Sequence, residues 1–274
     1  TLTISLGTVR PIETSPYMEN AYVMVPKTKC FPCKPQESCD YFQCHADISY
    51  QASYAVINQL LLNGEVNQER LEKENSAFHL NATDIFQAQF TDQGVYQLTK
   101  LNGSPLSLQD VFRALYRITW SFVLDDKEEK SQFPELTNET YQSLVSTLSN
   151  LEQLYELCEF GKKYSRFILE EISSDTPEIS KVKEYSAKID DIDRLTKLLS
   201  NTNPQLNPIV HYYTLKKANL KGDNIVQLTE SSFYAFHECG QVCSILYELI
   251  EKTTSEHKQR HGIKEPVQKT TGNA

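Results

Sequence analysis

The second half of the chain admits one kind of fold. From residue 136 to 173, Leu144, Leu148, Leu151, Leu154, Cys158 and Ile168 recur at helical spacing with polar residues between them. A stripe sustained over that many turns predicts one long amphipathic helix whose apolar side must be covered. "PEISKVKEYSAKIDDIDRLTKLLS" repeats the pattern. Pro177 suits a first turn, and Val182, Tyr185, Ile189, Ile192 and Leu199 follow in near-heptad steps. Asn201 to Pro208 is a break with two prolines, and a further helix is expected over 209–220. Thr229 is expected to cap a last long helix carrying Phe236, Cys239, Cys243, Leu246 and Ile250. Long amphipathic helices joined by short breaks pack antiparallel, as in bundles. Leu151 and Ile189, each central in its stripe, are expected in one shared core.

The first half is mixed. "TLTISLGTV" and "NAYVMVP" read as short strands bounded by Pro11, Pro16 and Pro26. Ile48, Ala52, Ala55, Ile57, Leu60 and Leu61 suggest one buried helical face ending at Gly64. Residues 65–84 are polar and unpatterned. Alternation over 85–101 predicts a β-hairpin turning at Asp92-Gln93-Gly94, Asn102-Gly103 marks a second turn, and a helix is expected over 107–124. With only 9 Gly in 274 residues and Leu, Glu, Lys and Gln abundant, the balance favours helix. The expected fold is mainly α: an elongated helical bundle with a small β-hairpin and strand component and a cysteine-tied N-terminal loop. The expected divisions are a strand-containing cysteine-rich segment over 1–46 packed on the bundle, a helix–hairpin–helix region over 47–135, a long-helix bundle over 136–260 and a disordered polar tail over 261–274.

Four of the seven cysteines fall within "KCFPCKPQESCDYFQC", residues 29–44. Cys30, Cys33, Cys39 and Cys44 are spaced C-x2-C-x5-C-x4-C, and Pro32 and Pro35 make this a loop. Zinc takes a C-x2-C half-site well, with His45 able to replace Cys44, but the second half is unusual and the gap short. A redox C-x-x-C needs a helix start after it, where this chain has Lys34-Pro35. Structural disulfides are the favoured reading, ahead of zinc and of free intracellular thiols, and they imply an oxidising compartment. Cys239 and Cys243 lie four apart on one helix face, placed to staple a neighbouring element such as this loop, or else to act as small core residues. Cys158 is the candidate free buried thiol. Three sequons occur, at Asn81, Asn102 and Asn138. Such triplets arise by chance in a chain rich in Asn, Ser and Thr; Pro105 weakens Asn102, which leaves Asn81 and Asn138 as glycosylation candidates.

Other classes fall away on composition. Net charge is −9 and no basic block occurs, against nucleic-acid binding. The longest apolar stretch, residues 115–124, contains Arg117 and is too short to span a bilayer. An opening Thr-Leu-Thr is expected of a processed or trimmed product. The closing "KTTGNA" after a polar spacer fits either a membrane anchor beyond it or a plain polar end. No cofactor motif, phosphate loop or metal-protease signature occurs. In His237-Glu238-Cys239 the His and Cys are two apart on a helix and face different ways, and Asp190, Asp191 and Asp193 lack the glycine and terminal glutamate of a calcium loop.

The 15 tyrosines against 1 tryptophan suit a binding surface. Tyr41 and Phe42 in the cysteine loop, and Tyr212 and Tyr213 after the proline break, are the contact candidates, with burial as the competing fate. The expectation is a non-enzymatic extracellular recognition module, secreted or at the cell surface, with a protein partner. An intracellular helical scaffold with a zinc-bound cysteine cluster and a ligand-sensing ectodomain are the alternatives.

Overall fold

The computed structural model of the chain describes residues 1–34, 39–78, 80–92, 94–102, 106–125 and 136–262. The polar tail beyond Gly262, the central Gln93 of the hairpin turn and the Gly103–Pro105 turn lie outside the described residues. The architecture is mainly α with one small sheet. It divides into two units, Thr1–Pro105 and Leu106–Ala274. The cut passes through the stretch read from sequence as one helix–hairpin–helix region. The helix over 108–125 builds its apolar side into the core of the second unit, whereas the hairpin belongs to the first.

The first unit runs β1 (Leu2–Ile4), α1 (Pro11–Thr14), β2 (Tyr22–Pro26), α2 (Gln43–Asp47), α3 (Tyr50–Asn63), α4 (Gln68–Phe78), a 3-10 turn (Leu80–Ala82), β3 (Thr83–Phe90) and β4 (Tyr96–Lys100). The sheet order is β1-β2-β3-β4, parallel between β1 and β2 and antiparallel elsewhere. Every residue of β2 is buried, because the sheet is covered on both faces at this strand. Tyr22 and Met24 join Ala52, Ala55 and Val56 of α3, Leu71 of α4 and Ile85. Their alternates Val23 and Val25 join Phe86, with Phe31 of the cysteine loop and Leu98 packed against them. α4 occupies part of the stretch read as polar and unpatterned. Leu71 is its one buried side chain between residues 68 and 74, too little for a periodic signal. Buried Gln59 joins α3 to α4: its carbonyl accepts from Asn67 N at 2.9 Å and its amide donates to Glu74 at 3.2 Å.

The second unit contains α5 (Leu108–Asp125), α6 (Asn138–Ile172), α7 (Ile179–Thr202), a 3-10 turn (Pro204–Leu206), α8 (Asn207–Ala218) and α9 (Ile225–His261). α6 has 35 residues and α9 has 37. Leu144, Thr147, Leu151, Leu154, Cys158, Gly161, Ser165 and Ile168 are buried along α6 in alternating steps of three and four. Thr229, Ser232, Phe236, Cys239, Cys243, Leu246, Ile250, Thr253 and His257 do the same along α9. Those are coiled-coil seams. The helices run antiparallel: Tyr141 stacks on His257, Tyr247 donates to Glu152, and Gly161 faces Phe236. The hydroxyls of Thr147, Ser165 and Thr253 donate within their own helices, to Ser143 O, Gly161 O and Leu249 O, so they enter an apolar layer without an orphaned donor. Leu151 and Ile189 share this core, as expected. The start of α9 differs from expectation. Asn224 is the N-cap, accepting from Gln227 N, and Thr229 sits a turn inside with its hydroxyl donating to Ile225 O. No described helix is long and apolar enough to cross a membrane.

Candidate interaction surface

The cysteine loop is anchored at its start. Phe31 packs on the sheet and Cys33 N donates to Gly7 O at 2.8 Å. Cys30, Cys39 and Cys44 all lie within electrostatic reach of Cys33, whose thiol is pushed up by desolvation first and then by these three neighbours. All seven cysteines of the chain are free thiols in the structure, and of these four Cys30 is exposed, Cys33 and Cys39 are half-buried and Cys44 is buried on α2. Among the described residues, no group of three or more His, Cys, Asp or Glu is arranged to hold a metal ion.

Tyr41 and Phe42 follow Cys39 and stand in solvent, 92% and 59% exposed. Phe42 caps α2 with φ 47 and ψ 31, a left-handed conformation that costs a bulky residue energy. Its carbonyl accepts from His45 N at 2.9 Å, and its ring meets the His45 ring edge-on at 5.8 Å.

α3 adds a second exposed apolar feature. Its buried side is made of small or polar residues, Ala52, Ala55, Val56 and Gln59. Its opposite side carries large ones: Tyr50 (80% exposed), Tyr54 (57%), Ile57 (44%) and Leu61 (81%). These four follow at i, i+4, i+7 and i+11, within about 60° of arc on an α-helix. Ile57 and Leu61, expected on the core face, are thus on the outer one. The sheet surface under α3 is filled by Tyr22, Met24 and Ile85, and leaves room only for small side chains. The sequence signal for this outer stripe was the absence of any charged residue from Ser49 to Gly64. An ordinary solvent face carries Lys or Glu.

The remaining candidates are structural. Tyr213 is buried against Phe236 and its hydroxyl donates to Asp193, which also pairs with Lys217 at 3.3 Å. Half-buried Tyr212 meets Trp120 and donates to Glu238 at 2.7 Å, and Lys216 pairs with the same carboxylate at 2.8 Å. Burial raises the Glu238 carboxyl, but Lys216, Tyr212 and His237 outweigh it and hold the group below its ordinary value. Asp191 pairs with Arg194 on the helix surface, and His237 stacks on Phe233. The Tyr212 and Tyr213 contacts stitch α5, α7, α8 and α9 together. Cys239 and Cys243 face Cys158 across the α6–α9 seam, all three buried. Cys239 first and then Cys243 lower the Cys158 thiol, against the burial that raises it. Asn81 and Asn138 are exposed. Asn102 is not: its side chain accepts from Ile85 N at 3.0 Å and donates to Thr83 O, which makes it a brace of the hairpin.

No protein-family model matches the chain, and no curated protein or solved structure matches it either.

Proposed function

We propose that the chain is a non-enzymatic recognition module of a secreted or cell-surface protein, acting through protein–protein contact. The observation that carries this reading is the exposure of large apolar side chains on an ordered support, Tyr41 and Phe42 beside the cysteines and the outer stripe of α3. Exposed apolar patches of this size are a mark of interaction sites. Aromatic side chains held in one conformation lose little entropy on binding. In measurements against a panel of cell-surface ectodomains, Tyr41→Ala or Phe42→Ala should weaken the partner's binding by more than about 1 kcal/mol and leave the thermal midpoint unchanged. Unaltered binding by both variants would remove the loop from the contact.

The compartment has its own test. Four cysteines within the sixteen residues 29–44, in a loop anchored by Phe31 on the sheet and by Cys33 N on Gly7 O, support two bridges within that cluster, as in secreted domains. Alkylation of the native protein under denaturing, non-reducing conditions should therefore label no more than three thiols, those of Cys158, Cys239 and Cys243. Labelling of all seven would end the extracellular reading, and one zinc per chain on metal analysis would favour the intracellular scaffold instead.

A further inference from the structure

We infer that the outer stripe of α3 is a self-association seam, on which two copies of the chain pack helix against helix, antiparallel, about a two-fold axis. This rests on the reading of the chain as a recognition module and names the occupant of one of its two apolar features.

Spacing is the first argument. Tyr50, Tyr54, Ile57 and Leu61 step by four, three and four, which is the d-a-d-a spacing of a coiled-coil seam. A seam of that period is covered best by another helix with the same period. α3 has 14 residues, two heptads, so its pairing needs the rest of the unit to hold each helix in shape.

Self-complementarity is the second. In an antiparallel pair centred between Ala55 and Val56, Tyr50 of one copy meets Leu61 of the other, and Tyr54 meets Ile57. Each layer then sets one aromatic ring against one branched aliphatic chain. A two-fold interface requires such matching of a surface to itself. A parallel pair would instead stack ring on ring and leave the aliphatic layers thin.

Charge is the third. The chain carries −9, so two copies repel on average. α3 holds no charged residue, and its seam is flanked by Ser53 and Asn58. A heterologous partner is selected and oriented by complementary charge at the rim. This helix offers no charge to select one, and it is a place where two acidic copies meet without opposed carboxylates.

The area is of the right order. The four side chains, 44 to 81% exposed, present on the order of 500 Å². A standard interface takes about 800 Å² from each partner, and these four side chains supply most of it.

The test is the mass of the full chain in solution, by light scattering and sedimentation across micromolar concentrations. A dimer is expected. Tyr50→Lys and Leu61→Glu should each weaken it at least about 10-fold, because each places an unpaired charge in an apolar layer. Both side chains face outward, so circular dichroism should not move, and the thermal midpoint should equal that of the wild type at concentrations where both are monomers. The double variant with Tyr50→Lys and Leu61→Glu should associate again. The antiparallel arrangement sets the introduced ammonium of one copy against the introduced carboxylate of the other, whereas a parallel one sets like charges together. Monomer at about 100 μM, or a dimer indifferent to the single variants, would overturn the proposal. A monomer whose ectodomain binding is lost on Leu61→Glu would overturn self-association alone and leave the recognition reading standing, with another protein on this seam.

Discussion

Replacing Phe236 by alanine should cost the helical unit about 3 to 5 kcal/mol. The ring is buried at a layer where α6 contributes no side chain. A Cβ placed on Gly161 would meet three Phe236 ring carbons at 2.4 to 2.5 Å, so the ring lies directly on the α6 backbone. Tyr213 flanks it at 5.1 Å between centroids and the Lys217 ammonium sits 5.0 Å over its face. With neighbours on each side, the space left by truncation does not collapse, and the cost belongs at the upper end of the usual range. The converse follows from the same geometry. Gly161→Ala must displace a ring that is already confined, and should cost about 1 to 3 kcal/mol. Gly240 is a control on the facing helix: a Cβ there meets Cys158 Cβ at 3.6 Å and Tyr155 at 3.7 Å, ordinary contact. Gly240→Ala should stabilise by about 0.5 to 1 kcal/mol through helix propensity. Trp120 is the chain's one tryptophan and lies in α5 against Tyr116 and Tyr212, so its fluorescence in a denaturant titration reports on this unit. The double variant with Phe236→Ala and Gly161→Ala should cost less than the sum of the singles, because the added methyl then occupies space the ring has left. Additive costs would show that the two positions do not touch.

The helical unit was legible because its signal is redundant. In α6 a seam of eight buried positions constrains one helix, and no single residue decides the reading. The start of α9 was misplaced because Thr229 and Asn224 are both good caps by type, and only the backbone shows which one stands outside the first turn. The first unit was harder to read. Its helix α4 carries mostly charged and polar residues and is held by Leu71 and by the Gln59 amide, a contact between positions far apart in sequence. Candidate surface residues divided along the same line. Tyr41 and Phe42 lie in a loop where no helical period competes for them, and they are exposed. Tyr213 belongs to a helix and follows its period into the core. On α3 two apolar faces share one helix, and period alone assigned Ile57 and Leu61 to the wrong one. Side-chain size separates the faces, small against the sheet and large toward solvent, but only once the sheet is known to be there.

Leu151→Ala should cost about 2 to 5 kcal/mol, and Ile189→Ala less. Both side chains belong to the same core, but not to the same depth. Leu151 lies in the middle of the α6 seam, one turn from Leu154 and Thr147, in the core that Leu246 and Ile250 of α9 enter from the facing helix. Removing three carbons there leaves a void between two long helices that are pinned on both sides of it, at Tyr141 on His257 and at Gly161 on Phe236. The helices cannot draw together locally without disturbing those layers, so the void persists and its lining loses dispersion contacts. Ile189 lies on α7, nearer the surface at 8% exposure against 1% for Leu151. Part of its cavity opens to water. The expected order is therefore Leu151 above Ile189, measured as shifts of the denaturation midpoint at constant slope. Equal small costs for both would mean that α6 and α9 do not form the rigid pair on which the rest of the unit is built. A larger cost at Ile189 would move the mechanical centre of the bundle from the α6–α9 seam to α7.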